Sequence, residues 1–247
     1  MGSEALQAPI RTLVCGNGRM GALVRAAVEA DEAFSLVGQV GIDDVDRLDA
    51  GDVPAADLVI DFTNVGMLPH LAAYLRRNPA ALVSGTTGLG PDEQATLDEL
   101  SASMPVVWSA NYSLGVAVLR RLVAEAAQVL QGFDVEIVET HHNQKADAPS
   151  GTAKLLLAAV DPDGQCQVAH GREGMVGARP AREVGMHALR GGTVAGTHEV
   201  HFFGPDEEVC LTHRASSRQI FVSGAVAAAK RLVGHTPGCY SFEDLMM

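Results

Sequence analysis

The sequence predicts an α/β protein in two parts: a doubly wound parallel sheet, then a smaller α+β domain with a mostly antiparallel sheet. Three observations carry that expectation. Short apolar strands alternate with helical segments up to residue 112, each strand stops at glycine or small polar residues, and the alternation breaks from residue 113 onward. The 247 residues are enough for two modest domains, each with its own core.

Residues 10–15 (IRTLVC) are expected as the first strand, being rich in β-formers and stopping at the glycine turn GNGRMG of 16–21. Ala, Leu and Val fill 22–30, the helix that follows. Strands come next at 35–40 (SLVGQV), ending in Gly41-Ile42-Asp43-Asp44, and at 58–62 (LVIDF), ending at Thr63-Asn64. Met67, Leu68, Leu71 and Leu75 have helical spacing within 67–77, and ALVS at 81–84 is a fourth strand closed by Gly85-Thr86-Thr87-Gly88. A helix over 91–103 leads to VVW at 106–108, which stops at Ser109-Ala110-Asn111-Tyr112-Ser113. Such alternation builds a parallel sheet whose ligands lie at the carboxyl ends of the strands. The α+β part holds a helix over 116–130, a strand at 135–140, a helix near 152–159, a Gly/Arg-rich stretch at 170–192 and a strand pair at 194–203 and 209–215. An Ala-rich helix at 219–232 is expected to pack back on the first sheet.

Lys and Arg number 18 against 30 Asp and Glu, a formal net charge of −12, which argues against a nucleic acid or an anionic membrane as the main partner. A local Arg/Lys pocket still suits a small anion. Cys15, Cys166, Cys210 and Cys239 stand far apart with no CxxC pair, which fits a reducing cytoplasm. Residues 1–9 have neither a basic nor an apolar leader region and are expected to form a flexible arm; no membrane span is expected anywhere.

Gly16-x-Gly18-x-x-Gly21 follows a strand and opens a helix, the context a dinucleotide fingerprint needs. Gly16 permits the tight turn, Gly18 lets a pyrophosphate approach the backbone, and Gly21 lets the helix pack on the sheet, with phosphates at the helix N-terminus. Asp43 and Asp44, 22 and 23 residues past Gly21, stand near the spacing of a ribose-binding carboxylate. Glycine turns join strands to helices in many folds, so the competing reading is a structural turn; the strand, helix and acid together favour nucleotide binding and a Rossmann-like sheet.

The chemically densest stretch is ETHHNQKADAPSGTA at 139–153. Pro149 keeps Ala148 out of the helical region, so a helix starts at or just after Ser150 and the N–H groups of Gly151 and Thr152 in its first turn are candidates to hold a carboxylate. His141, His142 and Lys145 add groups that titrate near neutrality and a fixed cation, a set suited to protonating an atom beside a bound carboxylate. The bland alternative is a solvated loop and a helix cap. No metal is expected: His198 and His201 at i, i+3 on a strand point to opposite faces, and no Cys or carboxylate completes a set at ligand spacing. Arg172, Arg179, Arg182 and Arg190 read as mostly surface, with one or two facing ligand.

These segments, with DFT at 61–63, SGTTG at 84–88, SANYS at 109–113, LRGGTVAGTHEVHFFG at 189–204 and HRASSRQIFVSGAV at 213–226, resemble the 4-hydroxy-tetrahydrodipicolinate reductase family, long called dihydrodipicolinate reductase. The match spans nearly all of the chain beyond Pro9, and HHxxKxDxPSGT is its most specific string. The resemblance implies NADH- or NADPH-dependent reduction in the diaminopimelate route to lysine. It implies proton-donor roles for His141 and Lys145, and carboxylate binding by His142, Gly151 and Thr152. Cofactor contacts are implied at Gly16, Asn17, Gly18, Arg19, Met20, Gly85, Thr86, Thr87, Ser109, Ala110, Asn111 and Tyr112, with Phe62, Thr63 and Phe221 lining the same crevice. A dinucleotide-binding domain of 10–112 and 218–247, a substrate-binding domain of 113–217 and a homotetramer built through the latter's sheet are implied as well. The glycine turn is one residue shorter than the GxxGRMG of many members, and Gly41-Ile42 stand where an acid is aligned. Asp43 is therefore taken as the ribose contact, with the choice between NADH and NADPH left open. A dehydrogenase of another small amino acid and a non-catalytic nucleotide-sensing regulator are the rival readings.

Overall fold

The computed structural model describes residues 8–247; most of the expected N-terminal arm, residues 1–7, lies outside the described residues. In chain order the first elements are β1 (Ile10–Cys15), α1 (Arg19–Glu29), β2 (Phe34–Val40), α2 (Val45–Ala50), β3 (Leu58–Asp61), α3 (Leu68–Arg77), β4 (Ala81–Ser84), α4 (Pro91–Ser101) and β5 (Pro105–Trp108). Then come α5 (Leu114–Val129), β6 (Asp134–His141), α6 (Gly151–Val160), β7 (Gln167–Ala169), β8 (Glu183–Arg190), β9 (Gly196–Phe203) and β10 (Glu208–Ala215). The chain closes with α7 (Gln219–Leu232), β11 (Gly238–Tyr240) and α8 (Phe242–Met246). Two compact units result, one running through Tyr112 and resuming at Phe221–Met247, the other Ser113–Ile220.

In the first unit the strand order is β11-β5-β4-β3-β1-β2 and every pairing is parallel. LVID of β3 and ALVS of β4 are buried at every position, as strands covered on both faces must be. Leu13, Val59, Leu82 and Val106 of the sheet share a core with Leu71 and Leu75 of α3 and Leu97 and Leu100 of α4. Strand order reverses between β1 and β3, so the carboxyl ends of these two strands form the switch point where open α/β sheets take ligands. On α7, Gly224 lies against the Tyr112 carbonyl with no room for a Cβ.

The second unit has the order β10-β9-β6-β8-β7. Its antiparallel pairs β10/β9 and β9/β6 run over eight and seven residues, its parallel pairs β6/β8 and β8/β7 over seven and three. Ile137, Val184, Met186, Val200 and Phe202 on one face pack against Leu119 and Val123 of α5 and Ala153 and Leu156 of α6. β8 falls within the stretch that the sequence marks only as Gly/Arg-rich, and Gly185 stands within it. That glycine is required: a Cβ there would run into the Glu136 carboxylate, which is pinned by Arg172 at 2.8 Å, Arg179 at 3.3 Å and His187 at 2.6 Å. Burial works against the Glu136 charge, but Arg172, His187 and Arg179 outweigh it and hold its pKa at about 2. Among the described residues no helix is long and apolar enough to cross a membrane.

Candidate active site

The glycine turn of the first unit has the geometry its sequence predicts. Gly16 sits at φ +129°, and a Cβ on it would lie 2.7 Å from the Phe62 carbonyl oxygen; one on Gly21 would overlap the Gly16 backbone. Gly18 has nothing within 4 Å of its Cβ position, so the start of α1, with Arg19 exposed and Met20 half-buried, is open to approach. Asn17 donates to Asp44 at 3.0 Å, and the Gly41 N–H donates to the same carboxylate at 3.2 Å. Asp44 is thus tied to the loop, whereas the neighbouring Asp43 is exposed.

Side chains at the next two strand ends converge on Asp61, which is 2% exposed. Thr63 donates through its hydroxyl at 2.5 Å and its N–H at 3.1 Å, and the hydroxyls of Ser84 and Thr86 donate at 2.8 Å. Burial raises the Asp61 pKa, and these four donors oppose the rise. Phe62 fills the space beside Gly85 and meets the Tyr112 ring at 5.8 Å. Tyr112 is buried: its hydroxyl donates to the Ser84 carbonyl at 2.7 Å and its ring packs edge-on against Phe242. Ser109 and Asn111 close a turn on each other, with Ala110 and Thr87 exposed. Phe221 is half-buried, three residues before Gly224.

In the second unit the inward face of β6 turns from apolar to ionic along Ile137, Glu139 and His141. Glu139 is fully buried and saturated. It accepts a two-pronged pair from Arg190 at 2.8 and 3.0 Å, the Ser150 N–H at 3.1 Å, and the Nδ1–H of His141. This fixes the imidazole tautomer and leaves Nε2 as the ring nitrogen that Glu139 does not engage. A Cβ on Gly196 would stand 3.0 Å from that Nε2, so glycine keeps it uncovered. Burial lowers the His141 pKa, opposed by Glu139; burial also disfavours the Glu139 charge, but Arg190 and His141 hold its pKa below the usual carboxylate value.

The loop after His141 is clamped by His142 N–H to the Val194 carbonyl at 2.8 Å and by Arg190 to the Asp147 carbonyl at 2.7 Å. Lys145 pairs with Asp147 at 2.7 Å, and Arg218 reaches His142 Nε2 at 3.1 Å. The Ala148-Pro149 bond is cis. Ser150 caps α6, accepting from the Ala153 N–H at 3.1 Å, and its hydroxyl meets His198 Nε2 at 3.1 Å; exposed Gly151 and half-buried Thr152 form the first turn. Glu139 and Arg218 carry no individual expectation from the sequence, Ser150 only that of a helix start and His198 only that of a rejected metal ligand, while Arg190 stands in the series from which one or two members are expected to face ligand.

His198 packs edge-on against the His141 ring at 5.1 Å. Burial pushes its pKa down to about 4, with His141 adding to the effect. An unfolded histidine takes up a proton near pH 6.5 that the folded one refuses until about pH 4. The stabilisation is therefore complete above the unfolded value and is lost as pH falls through the folded one. Urea unfolding is expected to show about 2 kcal/mol less stability at about pH 4.5 than at neutrality. A His198→Gln variant should flatten that slope, and a wild-type profile already flat there would refute the assignment.

His198 and His201 do face opposite sides of the sheet, one buried and one half-exposed. The sequence shows no Cys or carboxylate at ligand spacing from these histidines, but β9/β10 pairing sets Cys210 opposite His201, and Glu208 lies 2.6 Å from its ring. Spacing along one strand does not reveal a neighbour across the ladder.

A dinucleotide-type sheet with an open glycine turn, together with a second unit bearing a buried Glu-His pair, a lysine and a capped helix start, is the architecture of a two-unit oxidoreductase. The model of the dihydrodipicolinate reductase N-terminus matches residues 10–112 and that of its C-terminus matches 115–246. The chain belongs to the dihydrodipicolinate reductase family. The 4-hydroxy-tetrahydrodipicolinate reductase of Caldanaerobacter subterraneus is 42% identical, covering 96% of this chain and 98% of its own length. That of Akkermansia muciniphila is 43% identical over the same shares. A dipicolinate-bound dihydrodipicolinate reductase from Paenisporosarcina sp. shares the fold, with TM-score 0.75 at 21% identity over 97% of this chain and 100% of that one.

Proposed function

We propose that the chain reduces 4-hydroxy-tetrahydrodipicolinate to tetrahydrodipicolinate with NADH or NADPH, in the diaminopimelate route to lysine. The observation that carries this reading is the His141-Glu139-Arg190 network, set beside Lys145 and the first turn of α6 in one unit of a chain whose other unit is a dinucleotide fold. The open position at Gly18 and the close packing of Gly21 fit a pyrophosphate at the start of α1. A reduced nicotinamide bound to this unit supplies the hydride. Loss of water from the substrate ring provides the double bond, hydride arrives at its carbon 4, and His141 or Lys145 protonates the resulting enamine. His142, Gly151 and Thr152 hold the carboxylates. Phe62, Thr63, the segments 85–87 and 109–112, and Phe221 line the cofactor side.

The decisive assay follows NAD(P)H absorbance with the condensation product of pyruvate and aspartate semialdehyde. Turnover is the expected result; nucleotide binding without turnover would favour the regulator. Asp43 is assigned the adenine ribose, supported by its exposure beside the already occupied Asp44. Asp43→Ala is expected to weaken NADH more than NADPH, since the carboxylate accepts from a 2′-OH and repels a 2′-phosphate. Equal losses would mean that another group binds the ribose. The enzyme is proposed to be a cytoplasmic homotetramer without nucleic-acid or membrane partners. Among the described residues no strand pairs with the outer edge of β10; that edge and the exposed Leu189 support assembly through the second sheet. Light scattering is expected to give four chains per particle, and a monomer at working concentration would sink the idea.

A further inference from the structure

We propose that His201, Cys210 and Glu208 form a site for a zinc-class divalent cation on the outward face of the second unit's sheet, opposite the face that carries His141. Among the described residues this is the one set of three His, Cys, Asp or Glu side chains whose donor atoms converge, all within 4.8 Å of one another. β9/β10 pairing produces the convergence. Cys210 stands directly across from His201 and Glu208 across from Phe203, so alternation along both strands aims all three side chains outward.

The spacing suits a metal. Cys210 Sγ lies 3.8 Å from His201 Nε2. Two donors of one tetrahedral cation, at about 2.0 Å for nitrogen and about 2.3 Å for sulfur, stand roughly 3.5 Å apart. Glu208 accepts from Nδ1 at 2.6 Å, which leaves the Nε2 lone pair turned toward the thiol. The neighbours restrain the donors further: the Phe203 ring stacks on the imidazole at 5.7 Å and 5°, and the Thr212 hydroxyl lies 3.4 Å from Sγ. The assembled site takes thiolate, imidazole and carboxylate, with Glu208 moving from the ring to the ion and water filling the fourth position. Binding releases the thiol proton to solvent. Soft sulfur with borderline nitrogen selects zinc or cobalt over magnesium or calcium.

The test is a Co2+ titration of the untagged, reduced, chelator-stripped full chain. The expected result is one ion per chain, with a thiolate-to-cobalt charge-transfer band and tetrahedral ligand-field bands that zinc displaces. Cys210→Ser should abolish the charge-transfer band, and His201→Gln should weaken binding at least about tenfold; circular dichroism checks that both variants fold. Absence of a thiolate band in the wild type would overturn the proposal. So would a band that survives Cys210→Ser, which would move the ion to Cys166 or Cys239. Reductase activity enters none of these readouts, so they stand apart from the proposed function.

Discussion

His141→Gln and Lys145→Ala are each expected to lower kcat by about 10²–10⁴-fold while leaving nucleotide affinity unchanged. The first half of that expectation rests on proton delivery. His141 has one ring nitrogen locked to Glu139 and the other uncovered beside Gly196, so glutamine keeps the polarity of the position but has no proton to transfer. Lys145 is the cation nearest in sequence, held by Asp147. The second half follows from location, because both residues belong to the second unit and the glycine turn to the first. The pH dependence of kcat divides the work between them. Burial places the His141 pKa below 6.5, so delivery from His141 predicts a rate that falls as pH rises through a midpoint under that value. A rate flat through the neutral range would mean that the proton comes from a group other than His141. If both variants turn over normally and still bind nucleotide, the proton-delivery site lies elsewhere.

The parts of this fold that announce themselves in sequence are those governed by local rules. β1, β4 and α7 have the bounds expected of them, because apolar runs and turn residues mark both of their ends. Two helix starts lie earlier than expected, α1 at Arg19 and α5 at Leu114, since Gly18 and Ser113 act as N-caps and the first turn needs no apolar residue. The three-residue strands β7 and β11 are too short to carry a period. The site divides in the same way. His141, His142 and Lys145 share one string with Ser150, and the glycine turn is contiguous, so both were legible. Arg190, His198 and Arg218 were not, because each reaches the string from a distant segment. Arg190 meets His141 only through the parallel register of β6 and β8, and nothing in EVGMHALR distinguishes that arginine from Arg172 or Arg179, which pin Glu136. Glu139 looks like one more polar residue on a strand until its partners surround it.

Arg190→Met is expected to destabilise the protein by about 3–5 kcal/mol, the usual cost of leaving a buried charge without its partner. Glu139 has no exposed surface, and Arg190 is its two-pronged counter-ion. With Arg190 present, the folded carboxylate holds its proton less tightly than the unfolded one, whose reference value is 4.5. The pair therefore stabilises above that value and loses its contribution as pH falls through the folded value. Without Arg190, burial becomes the dominant influence and the sign reverses: the folded carboxylate gains affinity for a proton, so the variant's deficit should shrink as pH is lowered from 7 toward 5. Glu139→Gln acts on catalysis instead. It removes the charge that favours the protonated His141 ring, so the His141 pKa drops further and the descending limb of kcat moves to lower pH. Combining the two substitutions removes both charges at once, and the double variant should be more stable than Arg190→Met alone. Urea unfolding at two pH values and a kcat profile for each variant measure all three effects. An Arg190→Met protein as stable as the wild type at neutral pH, with an unchanged pH slope, would show that Glu139 is not held as an ion, and the account of how His141 is positioned would fall with it.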